Sequence, residues 1–103
     1  MNEQTPVPLP ISELRKRFDE ERFFLDDRAS AEYAYVLAVR LRESGNVEEA
    51  RQFARECLRL AEALPAQTLD DVTSTRISLG GVSMPERFHD GVVRARLADL
   101  LDS

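Results

Sequence analysis

Apolar residues recur at helical spacing near the start of the chain. The residues that share one face of such a helix are Ile11, Leu14, Phe18 and Leu25. This spacing predicts a helix, with Ser12 as its N-cap and Glu13 in its first turn. We expect it to end near Asp26 or Asp27.

Two longer helices are predicted to fold back on each other around residues 44–46. The first spans about 29–43 and is apolar nearly all round, as expected of a helix packed on more than one side. Gly45 can take the left-handed conformation that ends it. The second spans about 47–64 and stops before Pro65. Its predicted buried stripe consists of Val47, Ala50, Phe53, Ala54, Cys57, Leu58, Ala61 and Leu64.

This hairpin, residues 31–64, resembles one tetratricopeptide repeat, in which the two helices cross at small or apolar residues. The residues that fall at those places are Leu37, Ala38, Leu41, Gly45, Ala50, Cys57 and Leu58. The chain departs from the family pattern at Ala34, where a large aromatic is usual, and at Ala54, where a bulky residue is common. The resemblance implies a scaffold for protein–protein contact rather than an enzyme.

The resemblance also implies where a partner would bind. In the family the first helix of each pair lines a concave groove, and the matching positions here are Glu32, Tyr35, Val39 and Arg42. The Asn and Lys residues by which some members clamp a peptide carboxylate are absent from these positions. What remains is an aromatic and apolar strip rimmed by charge, which suits an amphipathic helix or an extended apolar peptide. A partner, a second copy or this chain's own terminal segments could supply it.

A fainter copy of the pattern follows when residues 45–59 are laid over 80–94, a shift of 35 residues. This shift aligns Phe18, Phe53 and Phe88, so we expect all three to be largely buried on successive helices. Residues 84–101 are then a further helix, with Ser83 as N-cap. For residues 66–79 the pattern permits a short helix or a partly extended loop, and we expect the helix.

The remaining segment, residues 1–10, carries Pro6, Pro8 and Pro10, which favour an extended, flexible arm over a helix. The whole pattern predicts an all-α protein: a Pro-rich arm followed by one domain, residues 11–103, with four or five helices in a short antiparallel array that resembles a tetratricopeptide array.

Charge and composition restrict the classes of partner and the location that we expect for this protein. The net charge is −5 at pH 7 over 103 residues, which argues against a nucleic-acid backbone as the main partner. No apolar run approaches the ~20 residues of a membrane-spanning helix, and no targeting segment is apparent. The single cysteine, Cys57, cannot form an internal disulfide, so we expect a cytoplasmic location, as in a reducing bacterial interior.

Candidate chemistry is sparse. His89 and Asp90 form the one His–Asp pair, and a metal-dependent phosphohydrolase would need several more such residues. Cys57 occupies a position where the resemblance implies a small buried residue, so we expect it to be structural. No phosphate-binding loop or nucleophile elbow is present. The sequence therefore predicts no catalytic, cofactor or metal site.

Arg51, Arg55 and Arg59 are spaced four residues apart, which places three guanidinium groups in one row along the second hairpin helix. They form either a solvated face, on which nearby glutamates reduce the repulsion between the arginines, or a docking strip for an acidic partner segment. Together these features predict a non-catalytic protein–protein interaction module, an adaptor or regulatory binding protein. A self-associating structural protein, as a homodimer, is the alternative, and a metal-dependent hydrolase is a distant third.

Overall fold

A computed structural model describes residues 9–63, 67–68, 87–88 and 90–102 of this protein. The elements in these ranges are α1 (Ile11–Phe23), α2 (Asp27–Glu43), α3 (Val47–Glu62), β1 (Gln67–Thr68), β2 (Arg87–Phe88), α4 (Asp90–Arg96) and α5 (Ala98–Leu101). The predicted all-α array is confirmed. In addition to the helices, β1 and β2 form one short antiparallel pair, with Gln67 opposite Phe88 and Thr68 opposite Arg87.

Helix α1 begins slightly earlier than the pattern predicts. Its N-cap is Pro10, in extended conformation at φ −67° and ψ 158°. The Pro10 carbonyl accepts the first-turn N–H groups of Glu13 at 3.0 Å and Leu14 at 3.1 Å. The prediction that Ser12 caps this helix is therefore wrong, because the fixed φ of Pro10 already provides the extended residue that precedes a helix. Ser12 is an exposed residue of the first turn.

Helices α2 and α3 form the predicted hairpin. The carboxylate of Asp26 accepts the N–H of Ala29 at 2.9 Å, so α2 begins two residues before the predicted position. Gly45 has φ +92°, which confirms the expected left-handed residue at the end of α2. Asn46 then caps α3, because its side chain accepts the N–H of Glu49 at 3.3 Å.

Helix α2 lies at the centre of the core, between α1 and α3, and is buried from Ala29 to Val39. The buried residues of α3 are Ala50, Ala54, Cys57, Leu60 and Ala61. Most are small, which lets two helices approach closely. The predicted buried stripe is confirmed at Ala50, Ala54, Cys57 and Ala61. Leu60 is also buried, and the prediction did not include it. It is wrong at Val47, which is 42% exposed at the first position of α3. Phe53 and Leu58 are half-buried, and Leu64 lies outside the described residues.

The C-terminal part differs most from the prediction. Residues 84–101 do not form one helix: Arg87–Phe88 is a strand, α4 begins at Asp90, and the helix breaks at Leu97. The expected helix over 66–79 is wrong at Gln67–Thr68, which pairs with Phe88 and Arg87. Ser83, residue 66 and residues 69–79 lie outside the described residues. Val93, Leu97 and Leu100 complete the core.

The expected series of three largely buried phenylalanines on successive helices is wrong at Phe88, whereas Phe18 and Phe53 pack against the core. Phe18 and Phe53 are half-buried, and they contact each other edge to face, with ring centroids 5.4 Å apart. Phe88 is on a strand rather than on a helix, and the surroundings of its side chain lie outside the described residues. The 35-residue alignment therefore does not extend to a third equivalent helix.

Candidate functional site

The groove implied by the resemblance is not open in this structure. Glu32, Tyr35 and Val39 are buried, and Glu32 accepts a hydrogen bond from the Arg28 Nε at 3.0 Å. The expectation that they form an accessible partner-binding strip is therefore wrong. Local periodicity cannot distinguish a groove face from a core face when other parts of the chain pack on it.

Both ends of the described chain reach α2. The Arg42 guanidinium donates from one nitrogen to both carboxylate oxygens of Asp99, at 2.9 and 3.1 Å. Arg40 donates to the carbonyl of Leu9 at 2.9 Å. The chain's own segments thus occupy the last turns of α2, which the sequence analysis allowed as one of three occupants of the groove.

The row of arginines on α3 is not uniform. Arg51 is half-buried, whereas Arg55 and Arg59 are exposed. Arg59 is paired with Glu56, with its Nε 3.1 Å from one carboxylate oxygen and its Nη2 in contact with the other, and this hydrogen bonding raises the pKa of Arg59. Arg55 makes no ion pair within the described part of the chain. The exposed arginines of this row are therefore Arg55 and Arg59, in the second half of α3, where Glu56 is the ion-pair partner of Arg59.

The most prominent exposed feature is the turn between α1 and α2. Phe23 is 81% exposed, Phe24 72% and Leu25 75%. We call these three residues the apolar turn. The sequence analysis assigned Leu25 to the buried face of α1, which is wrong, and did not single out Phe23 or Phe24. Three consecutive large apolar residues cannot all face the core from one helix. The run of Phe23, Phe24 and Leu25 in the sequence could therefore have predicted an exposed apolar surface here.

Backbone hydrogen bonds define the conformation of this turn. The N–H of Leu25 donates to the carbonyl of Arg22 at 3.1 Å, and the N–H of Asp26 donates to that of Glu21 at 3.0 Å. This pair of bonds is a Schellman motif, which needs a left-handed residue at its centre. Leu25 supplies it with φ 58°, as the one non-glycine residue with positive φ in the described ranges. A left-handed leucine costs roughly 1–2 kcal/mol relative to a right-handed one.

Neighbouring contacts hold the apolar turn in place. The rings of Phe23 and Phe24 pack edge to face, with centroids 5.2 Å apart and planes at 87°. Arg22 and Asp27, on either side of the turn, form an ion pair at 2.9 Å. A rigid apolar projection loses little side-chain entropy on binding, so this geometry suits a binding anchor.

The apolar turn lies near the second half of α3, which carries Arg55 and Arg59. Two contacts indicate that α1 and α3 run in the same direction. Arg15 on α1 pairs with Glu49 on α3, and one turn later Phe18 packs on Phe53. Continuing this offset brings the end of α1 level with the last turns of α3. The negative charge of Asp27 contributes to the raised pKa of Arg59, which is consistent with that placement. An apolar anchor and cationic groups therefore share one end of the hairpin.

The described residues offer little for catalysis. No group of three or more His, Cys, Asp and Glu residues in the described ranges is arranged to hold a metal ion. Burial raises the pKa of the Cys57 thiol well above its usual range, which keeps it protonated and unreactive. His89 lies outside the described residues.

No helix in the part of the chain that the structure describes is long and apolar enough to cross a membrane.

Comparison of this chain with models of protein families, with curated proteins and with solved structures finds no match.

Proposed function

We propose that this protein is a non-catalytic protein–protein interaction module, an adaptor or regulatory binding protein, that engages its partner through the apolar turn. The observation that carries this proposal is the exposure of Phe23, Phe24 and Leu25 together, on a unit whose other helices bury their apolar faces. Contiguous exposed apolar residues on a small protein mark an interaction surface. Aromatic residues in addition dominate binding hot spots.

The strained backbone at Leu25 supports the same proposal. The side chain gains almost no burial from its left-handed position, so packing within the described residues does not explain why a leucine stands there. Strain of this kind persists where a site needs a particular side chain in a particular direction. A leucine that projects from the tip of a turn can enter a pocket on a partner.

The partner is expected to be a protein segment that carries apolar side chains beside acidic ones. Arg55 and Arg59 lie exposed on α3, at the end of the hairpin that also carries the apolar turn. Guanidinium groups bind carboxylates in a bidentate manner. The protein's own net charge of −5 disfavours an anionic membrane surface as the alternative target of the apolar turn.

The resemblance of α2 and α3 to a tetratricopeptide repeat remains part of this proposal. It is supported by the buried small residues Ala38, Ala50 and Cys57 at the helix crossing and by the left-handed Gly45 between the helices. The binding surface proposed here differs from the concave groove of that family, because the groove positions are buried. No observation favours the metal-dependent hydrolase.

The test is site-specific photo-cross-linking in cells of the native host. A photoreactive phenylalanine derivative replaces Phe24 in one variant and Val47, the exposed apolar residue at the α2–α3 turn, in a matched control. We expect a discrete cross-linked protein from position 24 and not from position 47. Adding Leu25→Ser to the first variant should remove that product. Identical products from both positions, or cross-links to lipid alone, would contradict the proposal.

A further inference from the structure

The solvent face of α1 carries a shallow groove of about 540 Å³. The residues that line it are Ser12, Arg15, Lys16, Asp19, Glu20 and Phe23. All are exposed except Arg15, which is half-buried and is also ion-paired with Glu49 of α3. Within the described part of the chain, no residue forms an ion pair with Lys16, Asp19 or Glu20. The proposed function uses none of these three charges.

The order of charges along this face is its distinctive property. The basic residues, Arg15 and Lys16, lie in the first half of α1, and the acidic residues, Asp19 and Glu20, lie in the second half. Such a face repels a parallel copy of itself, because like charges would meet. It attracts an antiparallel copy, because each half then meets its opposite.

One antiparallel register matches every residue of the groove. If a two-fold axis passes midway between Arg17 and Phe18, the resulting pairs are Ser12 with Phe23, Arg15 with Glu20, and Lys16 with Asp19. Both charged pairs are then opposite in sign, and the large Phe23 ring meets the small Ser12. A two-fold interface is self-complementary in this way, and each pair occurs twice.

We propose that this face binds a second copy of the chain, as an antiparallel α1–α1 homodimer. The interaction shares Phe23 with the apolar turn, but its charged residues, Arg15, Lys16, Asp19 and Glu20, are not used by the proposed function, so variants at these charges test it separately. It leaves Phe24 and Leu25 of each copy uncovered. Phe24 and Leu25 of the two copies then lie at opposite ends of the helix pair, where they are available to a bivalent partner.

The charge pattern also sets the expected strength of the dimer. One helix face buries less than the ~1,200–2,000 Å² of a stable protein interface. Exposed ion pairs are individually weak and are screened by salt. The dimer should therefore be in equilibrium with the monomer and should weaken as salt rises.

The experiment is sedimentation equilibrium of the full chain at several concentrations, in low and in high salt. Lys16→Glu and Asp19→Lys should each weaken dimerisation about tenfold or more, because two ion pairs become two like-charge contacts. The double variant with both changes should restore dimerisation, because it exchanges the charges within each symmetric pair. Helix content from circular dichroism checks that each variant is folded.

Matched controls carry the same charge changes away from α1. Arg96→Glu on α4 and Glu43→Lys at the end of α2 alter exposed residues and should leave dimerisation unchanged. A wild-type chain that stays monomeric at every concentration would overturn the proposal. A double variant that dimerises no better than the single variants, or controls that weaken the dimer as much as they do, would overturn it as well.

Discussion

Leu25 occupies, in the turn between α1 and α2, the backbone position that Gly45 occupies in the turn between α2 and α3. Both have positive φ, at 58° and 92°. Both turns close with the same two bonds, since Gly45 donates to Arg42 at 3.1 Å and Asn46 donates to Leu41 at 2.9 Å. One turn uses the residue that this conformation favours, and the other uses a leucine whose side chain is left in solvent.

The first prediction follows from this equivalence. Leu25→Gly should stabilise the fold by about 0.5–1 kcal/mol, because it relieves the left-handed strain at the expense of some unfolded-state entropy. The reciprocal variant, Gly45→Leu, should destabilise it by about 0.5–1 kcal/mol, because the lower entropy of the unfolded chain offsets part of the left-handed strain. A side chain at Gly45 meets no atom within 4 Å of its Cβ, so this cost is conformational. Gly45→Val should cost more, because its branched Cβ resists positive φ further.

Urea denaturation of the three variants measures these free energies. If Leu25→Gly lowers the free energy of unfolding, the leucine contributes to the fold, and its position needs no functional explanation.

The second prediction concerns the contact between α1 and α3. The edge-to-face packing of Phe18 and Phe53 should show a coupling of about 0.5–1.5 kcal/mol in a double-mutant cycle with Phe18→Leu and Phe53→Leu. Phe23→Leu, on the same helix but exposed, should change the stability little. A coupling near zero would mean that α1 and α3 do not pack in the parallel arrangement described above.

The third prediction concerns the buried face of α2. Val39→Asp places a carboxylate in the core, and it should destabilise the protein by about 3 kcal/mol or more. Had Val39 lined an open groove, the same change would have left the helix content intact and affected only binding. Thermal melting followed by circular dichroism distinguishes the two, and an unchanged melting temperature would show that the groove is open.

The fourth prediction concerns Cys57. Because burial raises its pKa, the thiol stays protonated at neutral and mildly alkaline pH, where an ordinary cysteine begins to ionise. A thiol reagent at pH 8 should therefore label the native protein only as fast as the protein opens, and label it at once in denaturant. Rapid labelling of the folded protein would place Cys57 at the surface.

Several features of this fold were predictable because their signals are local. Gly45, the small residues of α3 and the long apolar run of α2 specify the hairpin within one segment. The end of α1 was missed because Leu25 violates the local rule that a glycine or asparagine takes a left-handed position. That violation coincides with the candidate site, as is common where function competes with local preference.

Other features depend on distant parts of the chain. Gln67–Thr68 pairs with Arg87–Phe88, and two-residue strands have too few positions to show an alternating pattern. The groove positions on α2 were assigned to the surface because nothing in the local sequence shows which distant segments pack on that helix, as Asp99 does at Arg42. Likewise, the pairing of Arg15 with Glu49 becomes apparent only when α1 and α3 are seen side by side.

The most direct test of the central claim compares stability with binding in Leu25→Gly. The partner identified by cross-linking from position 24 is titrated by calorimetry against the wild-type protein and this variant, with Val47→Gly as the control for loss of an exposed apolar side chain. Burying a leucine contributes about 1.5–3 kcal/mol, so the affinity of Leu25→Gly should fall about tenfold or more while its melting temperature rises. An affinity equal to that of the wild-type protein would contradict the proposal that the apolar turn binds the partner.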